Sequence, residues 1–302
     1  MRAAADVLWQ VLAPISLTAG LGFILARRLN LRPQELSRAA FYIFSPCLLF
    51  DKFSQTTLSA TDLGRVAAFA LLVMIASALV AWLLCRLLRY SAPQTAAFVL
   101  VVFAGNTGNY GLPANQFAFG EKALEPAVIY YAVSTLLIST LGVYLAATGR
   151  RSPRQALRNA LTVPLTYAGL AGVVVWASGW TVPVPIARAT ELGGQAAVPV
   201  MLVLLGVQLA GVQLRNDLSK ISLAAATKLI AGPALGFALA GPLGLAGLTR
   251  QAVMLESAMP TAVMTTVLAT EYDAAPKFTA GVVLASTLGS LVTVTLVLIL
   301  LR

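Results

Sequence analysis

The 302-residue sequence contains no histidine. That absence removes imidazole proton relays, histidine metal sites and Ser-His-Asp hydrolysis together. Charge is also scarce: Asp, Glu, Lys and Arg make up 11% of the chain, against about 25% in a soluble globular domain. The two cysteines, Cys47 and Cys85, lie in or beside apolar runs and give no disulfide framework. The N-terminus has no A-x-A-like cleavage site, and its first apolar run is long enough to span a bilayer, so it is expected to be retained. No soluble domain fits between the apolar runs, which argues against a sensor with an output domain. Ser45, Ser257 and Thr261 offer hydroxyls, but no convincing base accompanies them, which argues against an intramembrane hydrolase. No cofactor and no metal site are expected.

What is present is apolar sequence. Hydrophobic residues make up 59% of the chain, and charge-free runs of membrane-spanning length recur throughout. The reading is an all-α polytopic membrane protein with ten spans, at about 7–26, 36–53, 66–88, 95–119, 126–147, 161–180, 193–212, 221–243, 251–270 and 278–301. A formal net charge of +10 would suggest nucleic acid in a soluble protein. Here the basic residues flank the spans, as the positive-inside rule requires, so lipid is the expected partner and nucleic acid is not. Loops after odd-numbered spans hold thirteen Lys and Arg residues, and the termini and other loops hold seven. The chain therefore reads as multi-pass in the cytoplasmic membrane with both termini outside the cytoplasm.

The chain also repeats itself. Ser134-Thr135-Leu136 matches Ser286-Thr287-Leu288, and Pro46-Cys-Leu-Leu matches Pro199-Val-Met-Leu. Pro113 is matched with Pro260, and Ala19-Gly20-Leu21 with Ala168-Gly169-Leu170. These pairs keep span order at a nearly constant offset. They divide the chain into residues 1–150 and 151–302, five spans each, and an odd number of spans makes the two halves inverted. Paired inverted repeats with broken helices are the mark of a secondary transporter.

The fourth span carries the densest signal. From Ala104 to Gln116 it holds Gly105, Gly108, Gly111 and Pro113 together with Asn106, Thr107, Asn109, Tyr110, Asn115 and Gln116. Glycine and proline weaken a helix there, and freed backbone groups inside a bilayer must line a cavity or be covered by protein. The ninth span breaks in turn at Pro260. Helix N-termini at or after Pro113 and Pro260 would offer N–H donors and partial positive charge, which suits a carboxylate. Asn106, Thr107, Asn109, Tyr110, Pro113, Asn115, Pro260 and Thr261 are the candidate substrate contacts. For any one asparagine, a helix-to-helix hydrogen bond is an equal alternative.

Glu256 lies six residues beyond Arg250, about 9 Å into the membrane at 1.5 Å per residue. An acid at that depth is costly and is the candidate for binding a coupling proton. The alternative is a structural ion pair with Lys228, which enters from the opposite face.

Asn106-Thr107 with Gly111-Leu112-Pro113 and Phe119-Gly120, then Ala258-Met259-Pro260 with Val263, Glu271-Tyr272 and Ser286-Thr287, resemble the auxin efflux carrier family. Tyr42 to Phe53, with Ser45-Pro46, fits that family's second span. The resemblance covers nearly the whole chain. It implies ten helices in two inverted five-helix repeats with broken, crossing helices 4 and 9. It also implies a scaffold of helices 1, 2, 6 and 7, elevator-type motion, a homodimer, and organic-anion substrates such as auxin or dicarboxylates. The long central hydrophilic loop of the larger plant members is absent. A sodium-coupled organic-anion symporter related to bile-acid symporters, with Na+ in place of H+, and a non-transport membrane receptor are the alternatives.

Overall fold

The computed structural model describes residues 2–147, 163–212 and 217–301. The basic connection with Arg150, Arg151, Arg154 and Arg158, the expected boundary at 150/151, and Arg215 lie outside the described residues. Helices dominate, and the one isolated β-bridge among the described residues joins Gly105 to Thr261.

We number the helices α1 (Ala4–Leu29), α2 (33–54), α3 (Ala60–Leu87), α4 (Ala92–Phe103) and α5 (Leu112–Phe119). They continue as α6 (Glu121–Ala146), α7 (Pro164–Ser178), α8 (Val184–Ala210) and α9 (Leu218–Ala240). The last three are α10 (Gly247–Ser257), α11 (Met264–Glu271) and α12 (Pro276–Leu301). Six of these, α1, α3, α6, α8, α9 and α12, are long and apolar enough to cross a membrane. The fourth and ninth expected spans each divide into two shorter helices at their breaks.

Local chemistry sets several boundaries. Ser59 caps α3, its hydroxyl accepting from the Asp62 N–H at 3.1 Å. Ser91 and Gln94 form a reciprocal capping box at the start of α4, with Pro93 in its first turn. α8 starts at Val184, nine residues ahead of the expected start at 193, because Pro185 falls in the first turn, where its missing N–H costs nothing. Pro183 stands just outside the helix as its N-cap, and α8 continues through Pro199.

The helices pack in two groups. In the first, α1 runs along α8, and α2 packs on both α7 and α8. The α1–α8 approach is close because Gly22 lies against the Val203 carbonyl and Gly206 against the Ala19 carbonyl, so a side chain at either would force the helices apart. In the second group, α3 packs on α4, α6 and α9, α9 on α10 and α12, α10 on α6, and α12 on α4 and α11. The groups meet where α8 touches the turn 107–111, where α2 touches α6, and where the start of α1 touches α5 and α12. Leu17, Leu21, Leu79, Leu83, Val174, Ile230, Val292 and Leu300 face outward, an apolar exterior suited to lipid rather than water.

A candidate substrate cavity at the crossing of two broken helices

α4 ends at Phe103, and Ala104 leaves the helix in an extended conformation (φ −87°, ψ 110°). The chain re-enters helix at Thr107 through a wide π turn, Thr107–Gly111, that runs into α5. The break is therefore Ala104–Asn106. Pro113, expected to mark it, sits in the first turn of α5, where the wide turn ahead accommodates a ring that would otherwise press on the carbonyl four residues earlier. The second break covers residues 258–263, between α10 and α11, and includes Pro260 as expected.

The two breaks run antiparallel and bond to each other. The Asn106 N–H donates to the Pro260 carbonyl at 2.7 Å, and the Ala262 N–H to the Ala104 carbonyl at 2.9 Å. Backbone groups freed by one break are thus satisfied by the other, as the bilayer interior demands. Exchanging the two bonds matches Ala104 with Pro260, Gly105 with Thr261 and Asn106 with Ala262. Pro113 is not the structural counterpart of Pro260. Serines from α6 and α12 support the breaks. Ser134 Oγ lies 2.6 Å from Thr107 Oγ1, and Ser286 Oγ accepts from the Thr261 N–H at 3.1 Å.

A cavity of about 490 Å³ lies at this crossing. Asn106, Thr107 and Asn109 line it, with Gly105 and Gly108 between them. α6 adds Tyr131, Ser134 and Thr135, α8 adds Gln208, and α2 adds Ser45. The cavity extends to the end of the molecule where α2 begins and α8 ends, reaching Pro33, Arg38 and Val212. Asn106 is buried and its Nδ2 has no hydrogen-bond partner. Asn109 Nδ2 donates to Gln208 Oε1 at 3.2 Å, linking the first break to α8.

The remaining expected contacts lie elsewhere. Tyr110 points away, its hydroxyl accepting from Ser290 Oγ at 3.4 Å. Thr261 Oγ1 donates to the Val101 carbonyl at 2.9 Å, closing the end of α4. Pro260 contributes its carbonyl to the crossing. Pro113 and Asn115 are buried outside the cavity lining. Asn115 Nδ2 donates to the Gly111 carbonyl at 3.1 Å and to Glu256 Oε1 at 2.9 Å. Glu256 is fully enclosed, its carboxylate pressed against Gly111, where a side chain would collide with it. Glu256 and Lys228 both line a second, far smaller cavity, yet they form no ion pair among the described residues.

Sequence reasoning missed Gln208 and Tyr131. Gln208 carried a signal, an uncharged amide near the end of an otherwise apolar helix. Tyr131 carried none, because a tyrosine in a membrane helix is unremarkable alone.

A family profile described as "Membrane transport protein" matches residues 7–152 and 150–298. The chain belongs to this family of auxin efflux carrier-like membrane transporters. It is 27% identical over 264 residues to an uncharacterized transporter of Methanothermobacter thermautotrophicus, covering 86% of each chain. It is 25% identical over 268 residues to an uncharacterized transporter of Methanocaldococcus jannaschii, covering 86% of this chain and 87% of the other. To a Rhizobium meliloti protein named "Putative malonate transporter" it is 28% identical over 298 residues, covering 93% of this chain and 92% of the relative.

Proposed function

We propose that this membrane transporter is a secondary carrier for a small organic anion, with malonate-like dicarboxylates the first class to test. The observation that carries the reading is the wall of the large cavity. It combines the unpaired, buried amide of Asn106 with the opening turn of the helix 107–119. Amide donors and a helix N-terminus together favour a carboxylate without requiring a fixed charge at the contact itself. Asn106 and Thr107 hold the carboxylate in this reading, and Asn109 ties the site to α8. The name of the Rhizobium relative supports a dicarboxylate.

The ten-span reading takes residues 1–150 and 151–302 as inverted five-helix repeats, and the packing supports it. Exchange of the halves turns α1 on α8 into α7 on α2, and α3 on α6 into α9 on α12; both members of each pair are observed. The elevator reading is supported by the grouping. The cavity lies between the α1, α2, α7, α8 group and the crossing, so sliding one group past the other would carry it through the bilayer. It opens at the end where α2 begins and α8 ends, the arginine-richer side assigned to the cytoplasm. At the other end Lys52 pairs with Glu121 at 2.8 Å, and Glu125 accepts from the Thr57 N–H at 3.1 Å, tying the groups together. The conformation is thus inward-facing. Glu256 is the proton-binding group in this reading. Neutralising a buried carboxylate before the moving group crosses lowers the cost of carrying it through hydrocarbon.

Uptake of labelled malonate into proteoliposomes tests this reading. Accumulation above protein-free liposomes, accelerated by an imposed pH gradient and indifferent to sodium, is expected. Uptake driven by a sodium gradient and not by pH would replace proton coupling with sodium coupling. Binding without flux would make the protein a receptor.

A further inference from the structure

Lys228 sits in the middle of α9, is 5% exposed, and forms neither a hydrogen bond nor an ion pair among the described residues. A buried ammonium without a counter-charge is among the most costly arrangements a membrane protein can hold. Glu256 is the other charged group on the same small cavity, but its carboxylate is turned toward α5, bonded to Asn115 and packed on Gly111. The lysine instead reaches the back of the first break. A Cβ built on Gly105 would lie 3.3 Å from Lys228 Nζ. Gly105 and Thr107 line both cavities, so one layer of backbone separates this ammonium from the large cavity. On the cavity side of that layer is the unpaired amide of Asn106.

We propose that Lys228 is the fixed positive charge behind the substrate site, and that the substrate's carboxylate is its counter-charge across Gly105. The proposal rests on the organic-anion reading and adds to it the residue that selects charge. Lys228 does not touch the anion; it is a positioning residue that acts through the Gly105–Thr107 wall. Low dielectric at the crossing keeps such an interaction strong over a longer distance than in water. A neutral analogue of the same shape would gain nothing from it.

The test measures thermal stability and malonate affinity in purified wild-type protein, Lys228→Met, Glu256→Gln and the double variant, with acetate, indole-3-acetate and neutral malonamide alongside. Methionine keeps the length of the lysine stem and removes the charge, so Lys228→Met without ligand should melt at or above the wild-type temperature. Its malonate affinity should fall at least tenfold, and the wild-type preference for malonate over malonamide should disappear. The double variant should bind malonate as weakly as Lys228→Met. Recovery of affinity in the double variant would overturn the proposal and make Lys228 a balance for Glu256. Wild-type-like malonate affinity in Lys228→Met would overturn it while leaving the organic-anion reading intact. A wild-type protein that binds none of the three carboxylates would contradict both. Should Lys228→Met not fold, Lys228→Gln decides, since it removes the charge but keeps a polar tip on the small cavity. A several-fold loss of malonate affinity is then expected, and unchanged affinity overturns the proposal.

Discussion

The two breaks are alike in backbone and unlike in side chains. Each returns one hydrogen bond to the other across the crossing, at 2.7 and 2.9 Å, and each is braced by a serine from the helix that follows in its own half. The residues matched by that exchange differ in polarity. Asn106 corresponds to Ala262, and by the same register Thr107 is matched with Val263 and Gly108 with Met264. The first break presents amides and hydroxyls to the cavity; the second presents Ala262, Val263 and Met264. The polar groups at and just before the second break turn inward, Thr261 to the Val101 carbonyl and Glu256 to Asn115, while Thr266 of α11 and Gln208 of α8 line the cavity. Backbone pairing must be kept on both sides, because the bilayer interior tolerates no orphaned amide. Side-chain polarity is needed only where a ligand sits. In the proposed carboxylate reading, the first break serves recognition, and the second, with Glu256 beside it, serves closure and charge.

The largest effect expected from this division is at Glu256. Glu256→Gln keeps the hydrogen bond from Asn115 and removes the titrating proton, so malonate exchange should persist while acceleration by a pH gradient is lost entirely. Undiminished gradient-driven accumulation would remove Glu256 from coupling and leave the second half a purely structural partner.

Thr261→Val comes next. It strips the Val101 carbonyl of its donor inside the membrane, at a cost of about 1–3 kcal/mol for the orphaned group. Thermal melting should fall accordingly while malonate affinity stays near wild type. A large affinity loss at unchanged stability would place the ligand on the second break after all.

Asn106→Ala should do the reverse, leaving melting near wild type and weakening malonate binding. One hydrogen bond to a carboxylate is worth about 1.5–3 kcal/mol, or about 12- to 160-fold in affinity. Calorimetry would detect that range, and unchanged binding would make Asn106 a packing residue. Smallest of all should be Val263→Thr, which adds a hydroxyl to the apolar break at nearly constant volume. Less than about a twofold change in affinity is expected, because one added hydroxyl gains little net when water competes for it. A gain comparable to the loss in Asn106→Ala would mean that both breaks contact the anion.

Part of this division was legible in the sequence. Asn106, Thr107 and Asn109 stand out because amides and hydroxyls inside an apolar window have few uses other than a cavity or a helix contact. Glu256 stands out by its depth. The position of the first break was misjudged because Pro113 is the loudest helix breaker in the segment, yet proline in a first turn is harmless. The helix is instead lost at Ala104, well ahead of that proline, where Gly105 and Asn106 give way to inter-segment pairing with a stretch some 155 residues on. Tyr110, Asn115 and Thr261 share the composition of ligand residues but face packed protein, and spacing alone does not fix the direction a residue takes through a π turn. A Lys228–Glu256 ion pair is the alternative that the sequence offers, because both are charges at depth. Their orientations, one toward Gly105 and the other toward Asn115, depend on packing among α5, α9 and α10 that no local pattern encodes.

The division of labour between the breaks is tested most directly by an experimental structure of the protein with malonate bound. A malonate carboxylate oxygen within about 2.7–3.2 Å of Asn106 Nδ2, with Thr107 and Gly105 beside it, is the expected result. A malonate held against Ala262, Val263 and Met264, or outside this cavity altogether, would contradict it.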